Sequence, residues 1–228
     1  MSEARSEFLS GVRDVLPALP ANVPFGIIAG VATVGVGIDA GQALAFAGLL
    51  FAGAAQVAAV ELVGDRAPIA VVVLTALVVN LRYVMYSASI ATHFESLSAR
   101  WKAVTAFFLL DVTYALSIAR FDADRPDANR WYYLGTALPL WVVWVGASAV
   151  GISFGSGVPD HWQLDFAIPL LFMALLFSAL DDAASYVASA ASGVLAVAGF
   201  GLPFNAGILV AAAGGIAAGV LADGVADE

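Results

Sequence analysis

From Pro68 to Ala91 the chain reads "PIAVVVLTALVVNLRYVMYSASIA", an apolar run interrupted near its middle by Asn80 and Arg82. A helix rises about 1.5 Å per residue, so roughly 20 residues cover the ~30 Å of hydrocarbon in a bilayer. A surface helix would carry charges at regular spacing, and a helix buried in a soluble core would exclude Arg. Seven further apolar segments follow the same length rule, at about 20–38, 42–63, 103–120, 131–152, 165–180, 183–200 and 203–222. Charged residues make up 12% of the chain, and its mean hydropathy is +0.92. Soluble domains carry about 25% charged residues, so this chain cannot cover a soluble globule with polar groups. The pattern predicts an all-α polytopic transmembrane helical bundle of seven or eight spans, a single integral membrane domain over 1–228. Alternating ten-residue segments of the barrel type are absent from the sequence.

The rest of the composition closes off several chemistries. There is no cysteine, and the two histidines, His93 and His161, are far apart in the sequence; no metal site and no cofactor is expected. The start "MSEARSEFLSGVRDVL" is charged and lacks the apolar core of a cleavable signal. A net charge of -9, with acids concentrated in "FDADRPDANR", "SGVPDHWQLD" and the tail, argues against nucleic-acid binding and suggests a salt-adapted, halophilic host. With eight spans, Arg5, Arg13, Arg66, Arg120, Arg125 and Arg130 fall on the N-terminal side and Arg100 and Lys102 on the other. That asymmetry places the N-terminus in the cytoplasm of a multi-pass cell-membrane protein. Trp131, Tyr132 and Trp162 are expected in the interfacial aromatic belt.

Ionisable groups inside spans are costly, so each one is a functional candidate. Arg82 lies deep in the third segment beside Asn80, and Asp111 lies near the centre of the fourth in "AFFLLDVTYALS". The two segments are consecutive and antiparallel. Counted from their connection, the two charges fall within roughly 3–5 Å of the same depth, so an ion pair is expected. It either locks two helices together or exchanges its bond for a substrate or proton. Glu61, near the end of the second segment and beside Asp65 and Arg66, is a second proton-coupling candidate, although its place also suits an interfacial role. Gln56 follows the small-residue stretch "FAGAAQ" and is a candidate ligand-binding amide.

Breaks in the helices are expected at Pro17, Pro20, Pro24, "FAGAAQ" and Pro169, because irregular backbone at membrane depth marks a cavity or a protein interior. An internal repeat is also legible. "VPFGIIAGVAT" from Val23 resembles "LPLWVVWVGAS" from Leu138, and "AFAGLLF" from Ala45 resembles "DFAIPLLF" from Asp165, giving repeat halves 1–120 and 131–228.

These residues together resemble the AzlC family, the large permease subunit of bipartite branched-chain amino acid exporters. The resemblance rests on "PFG" at Pro24 to Gly26, "FAGAAQ" at Phe51 to Gln56, and "NLR" with Tyr86. It continues through Leu110-Asp111 with Tyr114, "YLGT" at Tyr133 to Thr136, "LDFAIPLLF" at Leu164 to Phe172, and the closing glycines after Leu202. It implies export of leucine, isoleucine, valine and methionine, with a small AzlD-like membrane subunit as partner. Val112 stands where the family often has an acid, and Tyr83 where it often has a histidine. A second carboxylate and a titrating imidazole are therefore not implied. The chain carries no G-x-x-x-x-G-K nucleotide-binding motif.

A zwitterionic aliphatic amino acid needs a cation for its carboxylate, an acid for its ammonium and an apolar pocket. Arg82 and Asp111 are expected to supply the first two, Asn80 and Gln56 neutral hydrogen bonds, and Phe25, Phe51, Tyr86 and Phe172 the walls. Asp111 is the best proton carrier. A channel, an exporter of another small solute, and a non-transporting membrane scaffold remain open as alternatives, as does the oligomeric state. No enzyme site is legible.

Overall fold

The computed structural model describes residues 2–121, 126–155, 182–202 and 206–226, together with 173, 176 and 180. Apart from turns and short breaks the described residues are helical, an all-α membrane bundle with no strand among them. Among the described residues four helices are long and apolar enough to cross a bilayer: Glu3–Gly35, Ile69–Phe94, Ala128–Gly155 and Ala206–Gly224. Shorter apolar helices run Ala40–Leu49, Gly53–Gly64 and Ala183–Ala198. The chain divides into two compact units, Met1–Gln56 with Val79–Pro159, and Val57–Val78 with Asp160–Glu228.

The first unit is organised around two long helices. Helix α1 (Ser2–Val15) continues through a 3-10 turn (Leu16–Ala18) into α2 (Leu19–Gly35). Pro17 and Pro20 stand at the starts of these elements, where a missing N–H costs nothing. Pro24 lies inside continuous α2, so the break expected there does not occur. This composite rod packs against α9 (Pro126–Gly155), which is likewise continuous through Pro139.

Glycines bring the two backbones together. A Cβ on Gly11 would strike the Tyr132 carbonyl, one on Gly135 the Phe8 carbonyl, one on Gly30 the Ser148 carbonyl, and one on Gly151 the Ile27 carbonyl. Early residues of the rod meet early residues of α9, and late meet late, so the two run parallel. Segments one and five therefore cross the bilayer in the same direction, as an even number of spans in the first half requires. Gly26 faces Ala147, whereas the repeat alignment pairs it with Trp141. The two helices are therefore packed about two turns out of the register that alignment would give.

In chain order between the rod and α9 come α3 (Ala40–Leu49), α4 (Gly53–Gly64), α5 (Ile69–Val79), α6 (Leu81–Ala91), a 3-10 turn (Thr92–Phe94), α7 (Ala99–Phe107) and α8 (Asp111–Ile118), with residues 57–78 belonging to the second unit. Asp39 caps α3 by accepting from Gly41 N–H at 2.9 Å. A cluster rich in aromatic side chains joins α6, α7, α8 and α9. Ile90, Phe94, Leu97, Leu109, Tyr133 and Ala137 form its buried centre, with Tyr83, Tyr86, Phe108 and Tyr114 packed around it.

Tyr132 is buried rather than belted at the lipid interface. Its hydroxyl donates to Asp14 at 2.9 Å, and the Arg120 guanidinium lies 4.6 Å over its ring. Arg120 in turn contacts Glu7 at 3.2 Å and Asp14 at 3.5 Å, tying the end of α8 to α1.

In the second unit, α10 (Ala183–Ala198) and α11 (Ala206–Ala226) form an antiparallel hairpin. Gly207 meets Gly199, Gly215 meets Ser192, and Gly219 meets Ala188, the small-residue packing by which membrane helices approach. Ser192 Oγ donates to Ala211 O at 3.0 Å. A capping box at Asp182 and Ser185 starts α10, and Ser185's backbone N–H and hydroxyl hold the Asp182 carboxyl below its ordinary pKa.

Candidate functional site

Three helix interruptions fall within the first unit, each beside a residue singled out in the sequence. The second segment breaks at Leu50–Ala52, immediately before the "GAAQ" that opens α4. The third is interrupted for one residue at Asn80, whose φ of -89 and ψ of 2 leave the helical region. The fourth breaks between Phe107 and Asp111, with Leu110 fully extended at φ -134 and ψ 163. No proline marks any of the three. Asp111, expected mid-helix, is in fact the first residue of a half-helix.

Each full break frees a carbonyl, and α9 supplies a donor for both. In a continuous helix Gly48 O would accept from Ala52 N–H, which here turns to Leu50 O. Trp141 Nε1 donates to Gly48 O instead, at 3.0 Å. Likewise Leu109 N–H turns to Ala106 O, and the Thr105 carbonyl it leaves accepts from the Tyr133 hydroxyl at 2.7 Å. The breaks are thus stabilised as structure, since an unpartnered buried carbonyl costs about 1–3 kcal/mol. Tyr133→Phe and Trp141→Phe are each expected to lower stability by about that amount, with Tyr133→Phe the larger because Tyr133 is wholly buried. Thermal unfolding of the purified variants in detergent checks this, and unchanged midpoints would remove α9 from the support of the breaks.

The interruptions are joined side chain to side chain. Arg82 Nη1 lies 3.1 Å from Asp111 Oδ2, linking the second to the third. The rings of Phe51 and Phe108 meet edge to face at 6.3 Å, linking the first to the third. Phe108 also packs edge-on against Trp141, at 6.4 Å. Asp111 sits in the first turn of α8, where the helix dipole favours a carboxylate. Arg82 sits in the first turn of α6, where the dipole disfavours a cation, so its partner matters the more.

Tyrosines surround the pair. The Arg82 guanidinium is 5.2 Å from the Tyr83 ring centre, Tyr86 stacks on Tyr114 at 4.4 Å, and the Tyr114 hydroxyl donates to Ser89 at 2.9 Å.

Several polar atoms here are buried and have no hydrogen-bond partner among the described residues: Asn80 Oδ1, Arg82 Nε, Asp111 Oδ1 and both amide atoms of Gln56. Phe25 lies edge-on to Trp144 at 5.3 Å. Glu61 is exposed and falls in the second unit. Phe172 and Pro169 lie outside the described residues, as do His161, Trp162 and the second copy of the shorter repeat match. No group of metal-binding side chains occurs among the described residues.

Sequence reasoning named Tyr114 and Tyr133 only within the family resemblance, and gave no role at the site to Ser89, Trp141 or Trp144. Their signal is a set of hydroxyl- and N–H-bearing aromatics inside spans, which read at first as bulk.

Interrupted helices that meet around paired charges suit a transport-related helical membrane protein. The comparisons with known proteins are narrower. The family model AzlC, described as AzlC protein, matches residues 17–158, and the chain belongs to that family. It is 26% identical over 190 residues to "Inner membrane protein YgaZ" of Escherichia coli (strain K12), covering 81% of this chain and 78% of that protein. It is 29% identical over 214 residues to an "Uncharacterized membrane protein" of Archaeoglobus fulgidus, covering 91% and 92%. A Helicobacter pylori protein of the same description is 27% identical over 175 residues, covering 74% and 75%. No solved structure matches the chain.

Proposed function

We propose that this chain is a secondary transporter that exports branched-chain amino acids across the cytoplasmic membrane. In this reading export is coupled to protons, the N-terminus is cytoplasmic and a small AzlD-like membrane subunit completes the transporter. The observation that carries it is the Arg82–Asp111 pair, held at the starts of two half-helices in a chain of the AzlC family. A charge at the centre of a spanning helix costs about 2.5–3.5 kcal/mol on insertion scales, so pairs kept there serve a pathway or a lock.

Protonation of Asp111 removes Arg82's counter-ion and frees a guanidinium, which makes the pair able to alternate between two arrangements. Deprotonated Asp111 can instead receive the substrate's ammonium. Phe51, Phe108 and Leu109 provide apolar surface beside it. Such a wall separates leucine from valine weakly, because one methylene is worth about 1–3 kcal/mol.

The test is isoleucine efflux from cells preloaded with an isoleucine dipeptide, with the chain expressed alone and beside its small partner. Efflux above that of empty cells is expected when both subunits are present, and little from the chain alone. No efflux in either case, with membrane insertion verified, would overturn the cargo assignment.

A further inference from the structure

Arg82 already engages Asp111 through Nη1, and a second set of donors would let a carboxylate enter without disturbing that pair. The opening of α4 offers them. This helix runs twelve residues from Gly53, and the N–H groups of its first turn point out of the helix end with the positive pole of its dipole. Gln56 is its fourth residue. Side chains on a helix lean toward the N-terminus, so the Gln56 amide leans back over that first turn. Gln56 is 1% exposed, and neither amide atom has a partner among the described residues.

Trp144 of α9 covers the same end. A Cβ on Gly53 would lie 2.9 Å from Trp144 Cη2 and 2.9 Å from Phe25 Cε1, so the missing side chain lets both rings rest on the helix start. Trp144 is 3% exposed, and its indole N–H, which can only donate, also has no partner among the described residues. The Trp144 atoms nearest Gly53 are Cη2 and Cζ3, the edge of the indole away from its N–H, so Trp144 and Phe25 roof the helix start as apolar surface; the unspent donor there is the Gln56 amide, and nothing on α4 before Glu61 is acidic.

We infer that the α4 N-terminus, with the Gln56 amide, is the subsite for the carboxylate of the transported solute. Phe25 and Phe51 flank it, and the Arg82–Asp111 pair is left to coupling. The inference rests on the transport reading above but names a different anchor for the substrate's negative end. Broken-helix N-termini suit anionic groups for the same electrostatic reason that helix starts bind phosphate.

The test is calorimetric binding to the purified protein in nanodiscs, together with its small partner where that is required for stability. The probes are leucine, isocaproate (leucine without its ammonium) and isoamylamine (leucine without its carboxylate). Gln56→Glu places a like charge at the subsite, and Gln56→Leu removes the amide while keeping a side chain of similar size. Both are expected to weaken leucine and isocaproate by roughly ten-fold or more and to leave isoamylamine unchanged. Gln56→Leu keeps the test valid if Gln56→Glu fails to fold.

Unchanged isocaproate binding in folded Gln56→Leu, or no isocaproate binding by the parent protein, would overturn the subsite. Carboxylate-dependent binding lost in the variants, in a protein that does not export leucine, would support the subsite while refuting the cargo.

Discussion

Asp111→Asn is expected to reduce pH-driven isoleucine efflux to the level of cells lacking the protein, while the variant still inserts and folds. The carboxamide keeps the size of the carboxylate and its ability to accept a hydrogen bond at the start of α8. It cannot titrate, and it cannot hold Arg82 electrostatically. Breaking a fully buried pair costs about 3–5 kcal/mol because a charge is left unpaired. Here the side chains of Arg82 and Asp111 retain 37% and 42% of their exposure, so the structural penalty is smaller and the transport loss is the dominant effect. Efflux in an imposed pH gradient, beside size-exclusion profiles of the purified variant, separates the two. Retained pH-driven efflux would remove Asp111 from coupling.

The largest structural effect is expected at the contact between the α1–α2 rod and α9. Valine at Gly151 would place its Cβ on the Ile27 carbonyl oxygen, and valine at Gly135 would place its Cβ on the Phe8 carbonyl oxygen. The obstacle in both cases is backbone, which cannot rotate aside as a side chain can. Overpacking costs about 1–3 kcal/mol when side chains can adjust, and more when two helices must separate. Gly151→Val and Gly135→Val should therefore sharply reduce the yield of folded protein. Gly146 lies on the same helix with nothing near its missing Cβ, so Gly146→Ala should leave the yield unchanged. Equal yields for all three, read from membrane fractions and detergent-extracted size-exclusion peaks, would contradict the parallel contact.

The class of fold was legible from composition and segment length alone, because a chain with so few charges has no soluble alternative. The ion pair was legible too. Counting residues from one connection places Arg82 and Asp111 at one depth, and the structure closes them to 3.1 Å.

The breaks were only half legible. Gly53 and its small neighbours signalled the first, but Phe107 to Leu110 carries neither glycine nor proline, and its neighbours hold it open. Phe108 is gripped by Phe51 and Trp141, Leu109 is buried in the aromatic cluster, and Tyr133 takes the stranded carbonyl of Thr105. Those contacts come from residues far along the chain, and local pattern does not report them. Pro24 misled for the converse reason, and Pro139 likewise leaves its helix unbroken. A proline weakens one helical bond, but close glycine packing between the rod and α9 keeps both helices whole.

The central claim is that the Arg82–Asp111 pair works in transport and does more than tie α6 to α8. Joint replacement, Arg82→Leu with Asp111→Leu, removes both charges and leaves neither unpaired, so a pair that served only as a lock would be dispensable. Isoleucine efflux should be measured for this double variant beside the parent protein at matched membrane levels, with thermal unfolding to confirm that it folds. A folded double variant with no efflux is the predicted result; a folded double variant that exports isoleucine at the parent rate would contradict the account.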